Sequence, residues 1–213
     1  MDMDVNELKE MYKNMGREFA EVFLLHKFAI DKINTMLTIV NEDFYMLNNR
    51  NPIEHIKTRV KSPEKLLEKL ERKGLELTRE NTMEHINDIA GVRIVCSFVY
   101  EIYEILDLLK TQKELTITDV KDYIKNPKPN GYRSLHLIVS TPIYLSNRVE
   151  DVKAEVQIRT ISMDFWASLE HKMNYKNGKD ISFSLQNRLK DCAERSFALS
   201  EEMQLIDSEI QNL

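Results

Sequence analysis

Glycine and proline are scarce, with five of each in 213 residues, where an average chain would carry about 12% of the two together. So few breakers exclude a collagen-like repeat, a glycine-rich linker array and an all-β sandwich with many tight turns. They leave long helices joined by few connections. Cysteine is nearly absent as well: Cys96 and Cys192 lie far apart with no CxxC pattern, and Cys96 falls in an apolar run as a buried thiol, which suits a reducing cytoplasm. No long hydrophobic run exists. The most apolar stretch, residues 22–30, is broken by His26 and Lys27, so no membrane span is expected. The opening Met1-Asp2-Met3-Asp4 has the wrong charge for a secretory leader. These absences predict a soluble cytoplasmic protein.

Charged residues make up 31% of the chain and hydrophobic ones 42%, a globular balance well clear of the disordered regime. The net charge is −5. It gives no support for DNA or RNA as a general partner and leaves room only for a local basic site.

Hydrophobic spacing divides the chain. Phe23, Ala29, Ile30, Ile33, Met36, Leu37 and Val40 recur at helical intervals, and Asn51-Pro52 ends that run because the residue before proline leaves the helical region. Ile56, Thr58 and Val60 alternate with Lys57, Arg59 and Lys61 as a short strand with one basic face. Ser62-Pro63 reads as N-cap and first residue of a helix ending near Gly74. Residues 89–99 read as a buried strand, with Val92, Ile94 and Cys96 on one face. Ile102, Ile105, Leu106 and Leu109 return to helical spacing. Leu115, Ile117 and Val120 open another strand, followed by a loop around Pro127 and Pro129. Leu135, Leu137 and Val139 form the next strand, and Val152, Ala154, Val156 and Ile158 the last, before a helical tail interrupted near Asn177-Gly178. The expected fold class is α+β: a mixed β-sheet of four to five strands flanked by helices, with long N- and C-terminal helices.

Several strands pair an apolar face with a charged one. That face carries Arg59 and Lys61, then Arg93, then His136, then Glu155, Gln157 and Arg159. Taken singly, each fits a solvated sheet face. Residues 121–133 hold four cations (Lys121, Lys125, Lys128, Arg133) against one acid, with Tyr132 directly after Gly131. Such a loop is either a solvated hairpin or a nucleotide site, with charge for phosphate and a ring for a base. Asp88 and Glu155, if they converge, suit Mg²⁺, which takes one or two carboxylates plus substrate phosphates. Ser62, Lys65 and Lys69 open a helix whose N-terminus attracts phosphate. There is no GxxxxGK[ST] loop, GxGxxG, HExxH or GxSxG, so P-loop, dinucleotide, zincin and nucleophile-elbow chemistries are not indicated.

Five ordered segments make the chain resemble the RelA/SpoT-type (p)ppGpp synthetases, in their small, single-domain form. They are Arg59-Val60-Lys61-Ser62, Asp88-Ile89-Ala90-Gly91-Val92-Arg93, Lys128-Pro129-Asn130-Gly131-Tyr132-Arg133-Ser134-Leu135-His136, Glu155-Val156-Gln157-Ile158-Arg159-Thr160 and Trp166-Ala167-Ser168-Leu169-Glu170-His171. The resemblance implies one synthetase domain over residues 1–213, with core motifs in 50–176 and helical extensions in 1–50 and 177–213, on a nucleotidyltransferase-like fold. It implies transfer of the β,γ-pyrophosphoryl group of ATP to the 3′-OH of GDP or GTP, giving AMP and ppGpp or pppGpp, the alarmones of the stringent response.

Carried over by motif, Arg59 and Arg93 would sandwich adenine, and Lys61 and Lys69 would neutralise the ATP phosphates. Asp88 and Glu155 would hold Mg²⁺, with Glu155 also the base for the acceptor hydroxyl. Tyr132 would stack on guanine, while Lys121, Lys128 and His136, with Gln157 beside them, would hold the acceptor phosphates. Lys65 stands where many relatives have serine, as a longer, charged donor. No His-Asp dipeptide occurs, which implies synthesis without hydrolysis. A homotetramer is implied too, and surplus apolar face on the terminal helices suits self-association. The competing expectation is a non-catalytic nucleotide- or RNA-binding regulator, which has no need of the two carboxylates.

Overall fold

The computed structural model describes residues 16–177 and 182–212. Its helices are α1 (Arg17–Asn48), α2 (Pro63–Arg72), α3 (Arg79–His85), α4 (Val99–Thr111), α5 (Ile161–Asn177) and α6 (Phe183–Gln211). Its strands are β1 (His55–Val60), β2 (Ala90–Cys96), β3 (Thr116–Asp122), β4 (Leu135–Tyr144) and β5 (Val149–Thr160). They form one sheet in the order β1-β2-β5-β4-β3. β2 and β5 run parallel, and the other neighbours are antiparallel. The α+β class and the five-stranded mixed sheet agree with the expectation from periodicity.

One boundary and one helix differ from that expectation. The strand predicted over residues 89–99 stops at Cys96, because Glu101 reaches back and accepts the Ser97 and Phe98 N–H groups at 3.0 Å each. That satisfies two backbone donors at the start of α4. The short helix α3 is not among the predicted elements; its signal is Thr78, whose hydroxyl accepts from the Asn81 N–H at 3.1 Å. By contrast, Ser62 and Pro63 begin α2 as expected, with the Ser62 side chain capping Lys65.

Period-two alternation puts Ala90, Val92, Ile94, Leu135, Leu137, Val139, Ala154, Val156 and Ile158 on one face, where Ile30, Ile33 and Leu37 of α1 and Ile102, Ile105 and Leu109 of α4 cover them. The start of α1 packs Val22 and Phe23 on Leu66, Leu70, Ile86 and Ile89, which ties α2 and the approach to β2 to the same helix. The C-terminal helix α6 braces the loop before β4. Gly131 is buried at φ +87°, and a Cβ there would lie 2.7 Å from the Ala193 Cβ, so both its backbone and its packing require glycine. The Trp166 indole N–H donates to the Leu189 carbonyl at 2.9 Å, joining α5 to α6. Outward, α5 shows Ile161, Phe165, Leu169 and Met173, and α6 shows Leu199, Met203, Ile206 and Ile210.

Within the α1 contact lies one buried imidazole. His26 is 1% exposed, and its Nδ1–H donates to the Val22 carbonyl at 2.7 Å. Burial lowers its pKa to about 4 from 6.5, against the opposing effect of that bond. Between those values the unfolded chain binds the extra proton, so stability is complete above about pH 6.5 and falls as the pH drops towards 4. The full shift corresponds to about 3 kcal/mol. In urea unfolding, His26→Leu is therefore expected to gain on the wild type steadily from pH 7 to pH 4.5; parallel curves would show that His26 does not set this slope.

Candidate active site

The opposite sheet face is ordered in rows. The register aligns Lys57, Arg93, Gln157, His136 and Lys121 across all five strands. The next row runs Arg59, Gly91, Glu155. Gly91 matters for its missing side chain: a Cβ there would sit 3.3 Å from Arg59 Cγ and 3.4 Å from its Nε. The Arg59 side chain thus lies across β2, close enough that a Cβ at position 91 would crowd it.

Asp88, just before β2, receives two ammonium groups: Lys61 Nζ at 2.8 Å and Lys69 Nζ at 2.7 Å. Burial alone would raise its pKa, but the two lysines outweigh that and hold it below the usual carboxylate range. Lys61 reaches this point because its N–H pairs with the Ile89 carbonyl beyond the end of β1. Lys69 comes from α2, about two turns past the Ser62 cap, and is itself half-buried.

Glu155 is also half-buried, which pushes its carboxyl up; His136 and Gln157 pull it down further than burial raises it, and the Asp88 charge opposes them. His136 Nδ1 lies 3.3 Å from Oε1, and Gln157 Nε2 donates to Oε2 at 2.8 Å. The two carboxylates are thus close enough to repel, and each stays ionised by donors of its own. Among the described residues no three His, Cys, Asp or Glu side chains gather to cage an ion. Two neighbouring carboxylates fit a hard cation that arrives with phosphate oxygens and water, which is the habit of Mg²⁺.

Residues expected to bind the acceptor meet around Tyr132. Its hydroxyl lies 2.7 Å from His136 Nε2, and its ring stands edge-on to His136 and to Tyr123. Lys128 Nζ sits over both tyrosine rings, at 4.7 and 4.8 Å. Lys128 therefore occupies ring surface expected to receive a base, and stacking there requires this exposed side chain to swing aside. Lys121 is on the same row but at the edge of the sheet, exposed and paired with Asp119 at 3.3 Å. It is the expected site residue that stands apart from the cluster.

Two further residues belong here. Asp164, in the first turn of α5, accepts from Arg93 Nη1 at 3.2 Å and Arg159 Nη1 at 3.0 Å, with Lys57 Nζ at 3.7 Å. Arg159 also donates through Nη2 to the Tyr132 hydroxyl and to Gln157 Oε1. Burial, then the neighbouring Arg159 charge, lowers the pKa of Arg93, while Asp164 opposes both. An acid in the first turn of a helix has an ordinary explanation in the helix dipole, so spacing alone does not single out Asp164.

Lys57, Arg59, Gly91, Arg93, Glu155 and Gln157 help line a cavity of about 110 Å³. A larger cavity of about 730 Å³ lies between α1 and residues 111–115. Its walls are mostly apolar and contain none of the motif residues, so the smaller cavity marks the site.

The region found in RelA/SpoT proteins matches residues 58–180. GTP pyrophosphokinase YwaC of Bacillus subtilis is 49% identical over 210 residues, covering 99% of this chain and all of that one. The structure of small alarmone synthetase 2 from Bacillus subtilis superposes with a TM-score of 0.83 at 51% identity, over 91% of this chain and 100% of its own. Small alarmone synthetase 1 from the same organism, bound to its product pppGpp, gives 0.80 at 36% identity, over 87% and 94%. Bound to AMPCPP it gives 0.77 at 32% identity, over 92% and 98%. With more than half its length in that region and near-complete coverage of such relatives, the chain belongs to the RelA/SpoT family.

Proposed function

We propose that this chain is a GTP pyrophosphokinase that makes alarmone nucleotides. It transfers the β,γ-pyrophosphoryl group of ATP to the 3′-OH of GDP or GTP, releasing AMP with ppGpp or pppGpp. The observation that carries this reading is the pair of ionised, mutually repelling carboxylates, Asp88 and Glu155, set between an arginine-rich side and a tyrosine–histidine side. Such a transfer needs little covalent help from protein; alignment and charge neutralisation do most of the work. The regulator reading is not favoured, because a binder of nucleotides or RNA gains nothing from two carboxylates held charged beside the phosphates.

In this reading Arg59 and Arg93 hold adenine between guanidinium planes, a role that lysine fills less well. Lys61 and Lys69, which share Asp88, turn to the ATP phosphates. Asp88 and Glu155 would hold Mg²⁺, which would supply charge neutralisation to the phosphates when bound. Glu155 takes the proton of the acceptor 3′-OH. Tyr132 stacks on guanine, and Lys128, His136 and Gln157 face the acceptor phosphates, with Lys121 reaching in from the edge. Synthesis occurs without hydrolysis. The outward apolar rows of α5 and α6 support a homo-oligomer, proposed as a homotetramer. Among the described residues no helix is long and apolar enough to cross a membrane, which is compatible with the proposed cytoplasmic location.

Incubation with ATP, GDP or GTP and Mg²⁺, with separation of labelled nucleotides, tests the assignment; no tetra- or pentaphosphate product under any of these conditions would end it. Glu155→Gln is expected to lower kcat at least about 100-fold while both nucleotides still bind, and undiminished turnover would remove Glu155 from proton transfer. Tyr132→Ala should raise the acceptor KM about 10-fold with little change for ATP. Gly91→Ala should do the converse. Its methyl group crowds the Arg59 side chain and should raise the ATP KM roughly threefold to tenfold at unchanged acceptor KM, and equal effects on both substrates would separate Arg59 from adenine binding.

A further inference from the structure

Arg159 belongs to the Glu155 motif yet has no part in the chemistry above. It is 4% exposed, and its guanidinium is spoken for on both ends. Nη1 donates to Asp164 at 3.0 Å. Nη2 uses its two hydrogens on two acceptors, the Tyr132 hydroxyl at 2.7 Å and Gln157 Oε1 at 2.9 Å.

Each of these bonds dictates the next. The Tyr132 oxygen, already an acceptor, has its own hydrogen free for His136 Nε2 at 2.7 Å. Nε2 is then an acceptor, so the imidazole hydrogen resides on Nδ1, which faces Glu155 Oε1 at 3.3 Å. Gln157, with its oxygen committed to Arg159, must present its amide nitrogen to Glu155 Oε2 at 2.8 Å. The result is a closed ring of five side chains, with both branches running from the guanidinium to the two oxygens of one carboxylate. Without Arg159 the phenol branch is free to reverse: Tyr132 can accept from His136 Nε2–H, leaving a bare Nδ1 lone pair against Glu155, while Gln157 loses the partner that holds its carbonyl.

We propose that Arg159, locked by Asp164, is a positioning residue that sets the direction of these hydrogen bonds, holding His136 as the Nδ1–H tautomer and Gln157 with its amide nitrogen on Glu155. Its kinetic consequence rests on the reading of Glu155 as the proton acceptor in pyrophosphoryl transfer; its geometric content does not. Second-tier partners of this kind commonly change activity 10- to 100-fold without touching substrate.

The test uses two variants of the full chain. Arg159→Lys keeps a cation beside Asp164 but loses the planar fork that serves three acceptors at once. Tyr132→Phe keeps the ring and its stacking surface and removes only the hydroxyl, so it remains informative if Arg159→Lys fails to fold. ¹⁵N NMR of labelled histidine, with His136 identified by the signals lost in His136→Asn, reads the tautomer without any substrate. The wild type should show Nδ1–H, and both variants should populate Nε2–H. In steady-state assays kcat should fall about 10- to 100-fold, with KM for ATP and GDP within about threefold of wild type. A wild-type Nε2–H tautomer, or variants that keep Nδ1–H, would overturn the proposal, as would a loss confined to KM. If the tautomer shifts as expected but the wild type makes no ppGpp, the positioning role stands and the functional reading falls.

Discussion

A carboxylate half-buried on a sheet face is costly to ionise unless donors are aimed at it, and the organisation of this site follows from meeting that cost at Glu155. Burial raises the carboxyl's pKa, and Asp88 nearby works in the same direction. His136 and Gln157 offset both. Asp88 cannot draw on those donors, so it recruits Lys61 and Lys69 from two other elements. The same logic runs in reverse for the cations. The Arg159 charge disfavours that of Arg93, and Asp164 sits where it can accept from both. Each group of one sign is stable only because the opposite sign is placed against it.

Much of this was legible in the sequence because sheets obey a period of two. Once Val152, Ala154, Val156 and Ile158 are taken as core, Glu155, Gln157 and Arg159 must face the other way, and the parallel register then sets Glu155 opposite Gly91 and Gln157 opposite Arg93. The helix start at Ser62 was legible for a similar reason, since serine followed by proline has a local meaning. What periodicity could not resolve is where one period yields to another. Residues 97–99 are apolar enough to continue β2, and only the backward reach of Glu101 ends it. Nor could spacing assign Asp164 to the site, or give Arg159 a role in it. Their significance lies in hydrogen bonds to Tyr132 and Arg93, residues 27 and 71 positions away.

Lys121 and Lys128 show the limit of counting charge. Both contribute to the local excess of cations on the loop, yet one is paired with Asp119 at the sheet edge and the other lies over two tyrosine rings. The cations of this side rest on partners supplied by the protein. Lys61 and Lys69 do the same on Asp88. A phosphate that reaches these two lysines thus exchanges one partner for another, which tempers the electrostatic gain of binding.

The pairing of β2 with β5 has a consequence for how the site comes into being. It is the one parallel pairing in the described sheet, and it closes a loop of about 60 residues, whereas β4 and β5 meet across a short hairpin. His136, Glu155 and Gln157 are therefore assembled by local contacts, but Asp88, Arg59 and Arg93 join them only through that long closure. Arg59 and Arg93 likewise meet through the antiparallel pairing of β1 with β2, so each half has its own local contacts and only the long closure unites them. Chain topology thereby makes pyrophosphoryl transfer a property of the completed fold, since no fragment short of the whole sheet unites donor and acceptor.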